Sequence, residues 1–75
     1  MSAGPHHLKD LLERLVAEMV RGGLTLEEGR RAFEKRFIEQ VLDGANGHLS
    51  HAADRLGLHR NSLSRKMVEY KVRRR

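Results

Sequence analysis

Residues 59–66 read His-Arg-Asn-Ser-Leu-Ser-Arg-Lys, eight consecutive positions without an acid. They bring guanidinium, amide, hydroxyl and ammonium groups into about two turns of a helix. Side chains of these types suit an anionic polymer that also offers hydrogen-bonding edges. The Arg60 guanidinium can donate two parallel bonds to O6 and N7 of a guanine. His59 and Asn61 can reach bases or phosphates, and Ser64 lies on the same outward side. Ser62, Arg65, Lys66 and Lys71 suit phosphate oxygens, contacts that supply affinity without choosing a sequence. Upstream, Ser50 can offer its hydroxyl and a free backbone N–H at the start of a helix.

Those groups are useful only if a scaffold aims them together. Ala52, Ala53 and Leu56 fall on one face of a short helix. Gly57 follows, and glycine can take the left-handed conformation that ends a helix and turns the chain sharply. Leu58 returns an apolar side chain beneath the turn. Leu63, Met67 and Tyr70 then recur at spacings of four and three, so a second amphipathic helix runs from about His59 or Arg60 to Tyr70. Ala53 is small enough for the two helices to cross closely. A small residue, a turn glycine and a buried aliphatic at these spacings predict a helix-turn-helix.

The segment GHLSHAADRLGLHRNSLSRKMVEY carries Gly47, Ser50, Ala52, Ala53, Leu56, Gly57, Leu58, Arg60, Ser62, Leu63, Lys66, Met67 and Tyr70. This pattern resembles the C-terminal helix-turn-helix of the Fis family, which includes nucleoid proteins and the DNA-binding ends of bacterial enhancer-binding activators. The resemblance covers about a third of the chain strongly and the preceding helices loosely. It implies a groove-reading role for Arg60, phosphate contacts at Ser50, Ser62, Arg65 and Lys66, dimers formed through the two preceding helices, and a bacterial nucleoid setting. His59, Ser64, Val68 and Glu69 depart from the nucleoid members, which implies weaker sequence-independent binding.

The charge distribution agrees with the position of the reader. The chain has a net charge of +5. Residues 1–46 hold seven Lys/Arg against eight Asp/Glu, whereas residues 47–75 hold eight against two. The positive excess therefore sits on the predicted reader and its tail, the electrostatic footprint of a phosphate-backbone partner. A solvated basic tail that only aids solubility is the plainer reading.

Seventy-five residues make one folded domain with a small core. There is no cysteine, so neither a disulfide nor a thiolate metal site is available, and oligomerisation is the expected support. Residues 1–46 are read as dimerisation helices with a loop, and residues 47–75 as the reader and basic tail. The first helix runs from about Pro5 to Arg21, with Leu8, Leu11, Leu12, Leu15, Val16, Met19 and Val20 on a wide stripe. Gly22 and Gly23 end it. Thr25-Leu26-Glu27-Glu28 fits a capping box. A second helix then runs from about Leu26 to Asp43 or Gly44, with Leu26, Ala32, Phe33, Phe37, Ile38, Val41 and Leu42 as its apolar set. Gly29 leaves room for a close neighbouring helix.

This is more apolar surface than one small reader can cover. We therefore expect an all-α chain of four helices whose first two form a two-fold interface through Leu12, Leu15, Val16, Met19, Phe33, Phe37 and Val41. A monomeric four-helix core is the alternative. Met1–Gly4 is expected to fray, His6 and His7 to lie on the surface, and the tail either to follow phosphates or to be disordered.

His48 and His51 share a helix face, but no further ligand completes a metal site. No nucleophile pairs with a base, and no glycine loop cradles a phosphate, so neither an enzyme nor a cofactor is expected. No apolar run would cross a bilayer and no signal peptide is evident, so the chain reads as cytoplasmic, with no small-molecule substrate. Met1 and the short leader suit a complete protein, though an excised activator domain would read alike. The reading from another class is a helical protein–protein module with a basic tail. The main expectation is a homodimer that binds double-stranded DNA as a transcriptional regulator or a DNA-bending nucleoid protein.

Overall fold

The computed structural model describes residues 5–73, with side chains from His7 onward. The Met1–Gly4 leader, the His6 side chain, and Arg74 and Arg75 of the tail lie outside the described residues. Four helices follow one another: α1 (Pro5–Arg21), α2 (Leu26–Gly44), α3 (Leu49–Leu56) and α4 (Arg60–Tyr70). No strand occurs among the described residues, and the chain is all-α as expected.

The helix boundaries follow local chemistry. Thr25 and Glu28 form the reciprocal capping box: the Thr25 hydroxyl accepts from the Glu28 N–H at 3.1 Å, and the Glu28 carboxylate accepts from the Thr25 N–H at 2.9 Å. At the end of α3, Gly57 takes a left-handed conformation with φ 71°. The Leu58 N–H then donates back to the Ala53 carbonyl at 2.9 Å, closing the turn between α3 and α4.

The core is confined to one part of the molecule. Ile38 and Leu42 of α2, Ala45 of the loop, Ala52 and Ala53 of α3, and Leu63, Met67 and Tyr70 of α4 form one buried cluster with Val72. Leu63 is fully buried and Ala53 is 3% exposed, so the two reader helices meet at the small residue as the spacing predicts. Val41, Leu49 and Leu56 pack around this cluster. Thus α2, α3 and α4 make a three-helix unit.

Helix α1 contributes nothing to that core. It lies against the first half of α2, where a Cβ at Gly29 would stand 3.2 Å from Met19 Cε. The glycine therefore admits Met19, as the sequence suggests. The radius of gyration is 14.0 Å, against about 11 Å for a compact chain of this length, because α1 splays away from the reader. Leu26, assigned by periodicity to the apolar stripe of α2, is instead 90% exposed, and Ala32 is exposed as well. Leu26 opens the helix beside the capping box, beyond the reach of the reader, at the edge of the groove between α1 and α2.

The close crossing yields a test. Ala53→Glu would force a carboxylate into the contact between α3 and α4. A buried charge without a partner costs about 3–5 kcal/mol, enough to unfold this small core. Circular dichroism should show loss of cooperative melting; a variant that melts like the parent would place the helix crossing elsewhere.

Candidate nucleic-acid interface

Helix α4 is sealed on one side by Leu63, Met67 and Tyr70, which leaves its other side to solvent. His59, Arg60, Asn61, Ser62 and Arg65 line one shallow depression at its start. His59, Arg60, Asn61 and Arg65 are exposed, and Ser62 is half-buried. His59 is the N-cap, yet its side chain makes no capping bond, so the first N–H groups of α4 point outward without a side-chain acceptor. Helix α3 begins the same way behind His48, with Ser50 exposed in its first turn. The rings of His48 and His51 share a face, 5.5 Å apart.

Two predicted contacts lie elsewhere. Ser64 and Lys71 line a second groove farther along α4, together with Leu49, Val68 and Arg73. Lys66 departs further from expectation, because its ammonium is not free. It donates to Glu34 Oε1 of α2 at 2.9 Å. The reason is helical geometry: Lys66 is three residues from Leu63 and four from Tyr70, which puts it on the α2 side of the helix.

Glu34 is the centre of a polar clasp between α2 and α4 that periodicity did not reveal. Its Oε1 also accepts from the Tyr70 hydroxyl at 2.6 Å, and its Oε2 from Arg30 at 3.0 Å. The bonds from Tyr70 and then Lys66 hold the Glu34 carboxyl down at about 2, and the same contacts raise the Lys66 ammonium and the Tyr70 hydroxyl above their ordinary values. Arg31 completes the clasp, pairing with Glu69 at 2.5 Å while its guanidinium lies 5.1 Å from the centroid of the Tyr70 ring. The signal available in the sequence was the tyrosine closing an otherwise aliphatic stripe. A buried phenol requires an acceptor, and Glu34 falls on the turn between Phe33 and Ile38.

The residues expected at the two-fold interface also come together. Leu12, Leu15, Val16, Met19 and Phe33 line an apolar groove between α1 and α2. A second groove, sharing Leu15 and Phe33, continues over Phe37 and Val41 to Arg36 and Arg55. The rings of Phe33 and Phe37 are 5.6 Å apart, and each side chain stays about half exposed. Val41 is partly committed to the reader core as well.

Comparison with known proteins agrees with this geometry. Residues 29–70, which span most of α2 and both reader helices, match the family described as "Bacterial regulatory protein, Fis family". The chain is also 42% identical over 50 residues to the nitrogen fixation protein AnfA of Azotobacter vinelandii, a match covering 67% of this chain. It spans only 9% of the length of that relative. No solved structure matches the chain. The protein belongs to the Fis family, and its helix-turn-helix is a DNA-binding unit of transcription regulation. No helix among the described residues is long and apolar enough to cross a membrane.

The clasp has a measurable pH signature. Glu34→Gln keeps the shape but removes the charge that strengthens three hydrogen bonds, and should cost about 1 kcal/mol at pH 7 after allowance for solvent screening. Because the folded carboxyl titrates at about 2 against an ordinary 4.5, its contribution is full above pH 4.5 and is lost as pH falls towards 2. Denaturation midpoints of parent and variant should converge across that window. A gap that does not change with pH would show that the Glu34 charge contributes nothing.

Proposed function

We propose that the protein binds double-stranded DNA as a homodimer, with residues 1–46 forming the dimer and residues 47–75 reading the duplex. One observation carries this reading: the sealed side of α4 turns Arg60, Asn61 and Arg65 outward together at a helix start that no side chain caps. In a helix-turn-helix the second helix enters the major groove while the first crosses the backbone. Arg60 then makes the paired bonds to guanine, and His59 and Asn61 meet bases or phosphates at the groove edge. Ser50, Ser62, Ser64, Arg65 and Lys71 meet phosphates. Lys66 orients α4 through Glu34 rather than gripping a phosphate itself.

Dimerisation is supported by the unfilled grooves over Leu12, Leu15, Val16, Met19, Phe33 and Phe37. A contiguous apolar surface of this kind on a chain without disulfides favours a shared core. Two readers on one two-fold axis meet successive major grooves about one duplex turn, or about 34 Å, apart. Readers spaced more closely require bent DNA. Such a protein acts as a bacterial transcriptional regulator or a DNA-bending protein of the nucleoid, in the cytoplasm. A second reading has one observation in its favour. Because the chain spans 9% of its AnfA relative, it equally suits the DNA-binding part of a longer activator.

The test is binding of a labelled duplex across a series of salt concentrations, with the mass of the free protein measured alongside. A dimer whose log affinity falls steeply with log salt is expected. Arg60→Ala should cost about 1–3 kcal/mol on the preferred site and little on random sequence; equal loss on both would make Arg60 a phosphate contact. Phe37→Asp should halve the mass. A folded protein without duplex affinity at low salt would defeat the reading and leave a protein–protein module in its place.

A further inference from the structure

All four helices end on a left-handed residue, but α4 uses an unexpected one. At the end of α2 the position is held by Asn46, with φ 54° and the Gly47 N–H donating to the Leu42 carbonyl, and asparagine visits this conformation readily. At the ends of α1 and α3 the left-handed position is filled by Gly23 and Gly57, with φ 82° and 71°. The residue after each donates its N–H to a carbonyl five positions back: Leu24 to Met19 and Leu58 to Ala53. The end of α4 repeats the motif, with the Val72 N–H donating to the Met67 carbonyl at 2.8 Å. There, however, the left-handed residue is Lys71, with φ 56°. A side chain in that conformation is disfavoured relative to glycine, and a strained residue held in place by its surroundings is a reason to ask what it does.

What holds it is Val72. The side chain continues the reader core beyond the helix and is 8% exposed, packed in the same cluster as Leu42 and Tyr70. The basic tail is therefore not a free extension as far as Arg73. Lys71 and Arg73, on either side of the anchor, are both exposed and share a groove with Ser64 of α4 and Leu49, the residue before Ser50. Lys71 and Arg73 also border a groove shared with Glu39 and Asp43 of α2.

We propose that Val72 is a positioning residue. By docking into the core past a left-handed Lys71, it straps the basic segment to the reader so that Lys71 and Arg73 grip the phosphate backbone beside the start of α3. This rests on the duplex-binding reading and adds to it a second phosphate-gripping patch, separate from the Arg60–Arg65 depression. Sequence choice stays with Arg60, and the strap supplies affinity. Lysine occupies the strained position because glycine, which fits the turn better, carries no charge.

The experiment compares the parent with Lys71→Gly, Arg73→Ala and Val72→Ala in the full chain, using a labelled duplex of random sequence and a thermal melt of each protein. Lys71→Gly should melt no lower than the parent, since glycine relieves the turn. It should bind about five- to tenfold more weakly at about 0.1 M salt, with the log–log salt slope shallower by about 0.9 for each phosphate that is no longer neutralised. Arg73→Ala should do the same. Val72→Ala should flatten the slope although both cations remain. Slopes unchanged in Lys71→Gly and Arg73→Ala, with the parent binding steeply, would overturn the strap alone. A parent without salt-steep affinity would overturn the duplex reading and the strap with it.

Discussion

Helix α2 carries apolar side chains on two sides, and the chain supplies a well-packed partner for only one. Ile38 and Leu42 are sealed against α3 and α4, whereas Phe33 and Phe37 remain half exposed beneath α1. In water, an apolar face of this size is a standing cost of about 25 cal/mol per Å2. A chain without disulfides has few ways to remove it. The rest of the structure follows from this division: a compact reader at one end of α2, and at the other a pair of helices that leave Phe33 and Phe37 half exposed.

The reader is thereby fixed to α2 rather than to α1. Burial of Leu63 and Met67 sets how close α4 lies, but aliphatic packing alone leaves its rotation loosely defined. The Glu34 clasp, with Lys66 and Tyr70 on one carboxylate and Arg31 stacked over the same tyrosine, sets the rotation. With that side fixed, Arg60, Asn61 and Arg65 have one outward orientation left.

Much of this was legible in the sequence where the signal was local. The capping box at Thr25–Glu28, the glycine turn at Gly57 and the aliphatic spacing of Leu63, Met67 and Tyr70 depend on residues within one or two turns of each other, and the structure reproduces them. The exposed Phe33 and Phe37 were legible for a related reason: too many apolar residues for one neighbour. What was not legible depends on rotation and distant pairing. Periodicity placed Leu26 on a stripe, but only the position of the reader decides where along that stripe cover ends. Lys66 reads as one more cation in a basic run until α2 brings Glu34 to it from 32 residues away. Val72 lies past the helix, where no periodicity remains to mark it as buried.

The ion pairs within the chain divide its charge unevenly. A formal count assigns the whole positive excess of residues 47–75 to the duplex. The structure divides it. Lys66 is neutralised locally by Glu34, and the Arg55 guanidinium lies over Gly44 at the end of α2, where its charge complements the helix dipole. Arg60, Arg65, Lys71 and Arg73 are exposed. Counterion release scales with the phosphates actually neutralised rather than with net charge, so the cations that hold the fold together contribute little to the salt dependence of binding. The acidic residues of α2 therefore have two effects: they hold α4 in place, and through Glu34 they offset part of the positive charge that a formal count would assign to the duplex.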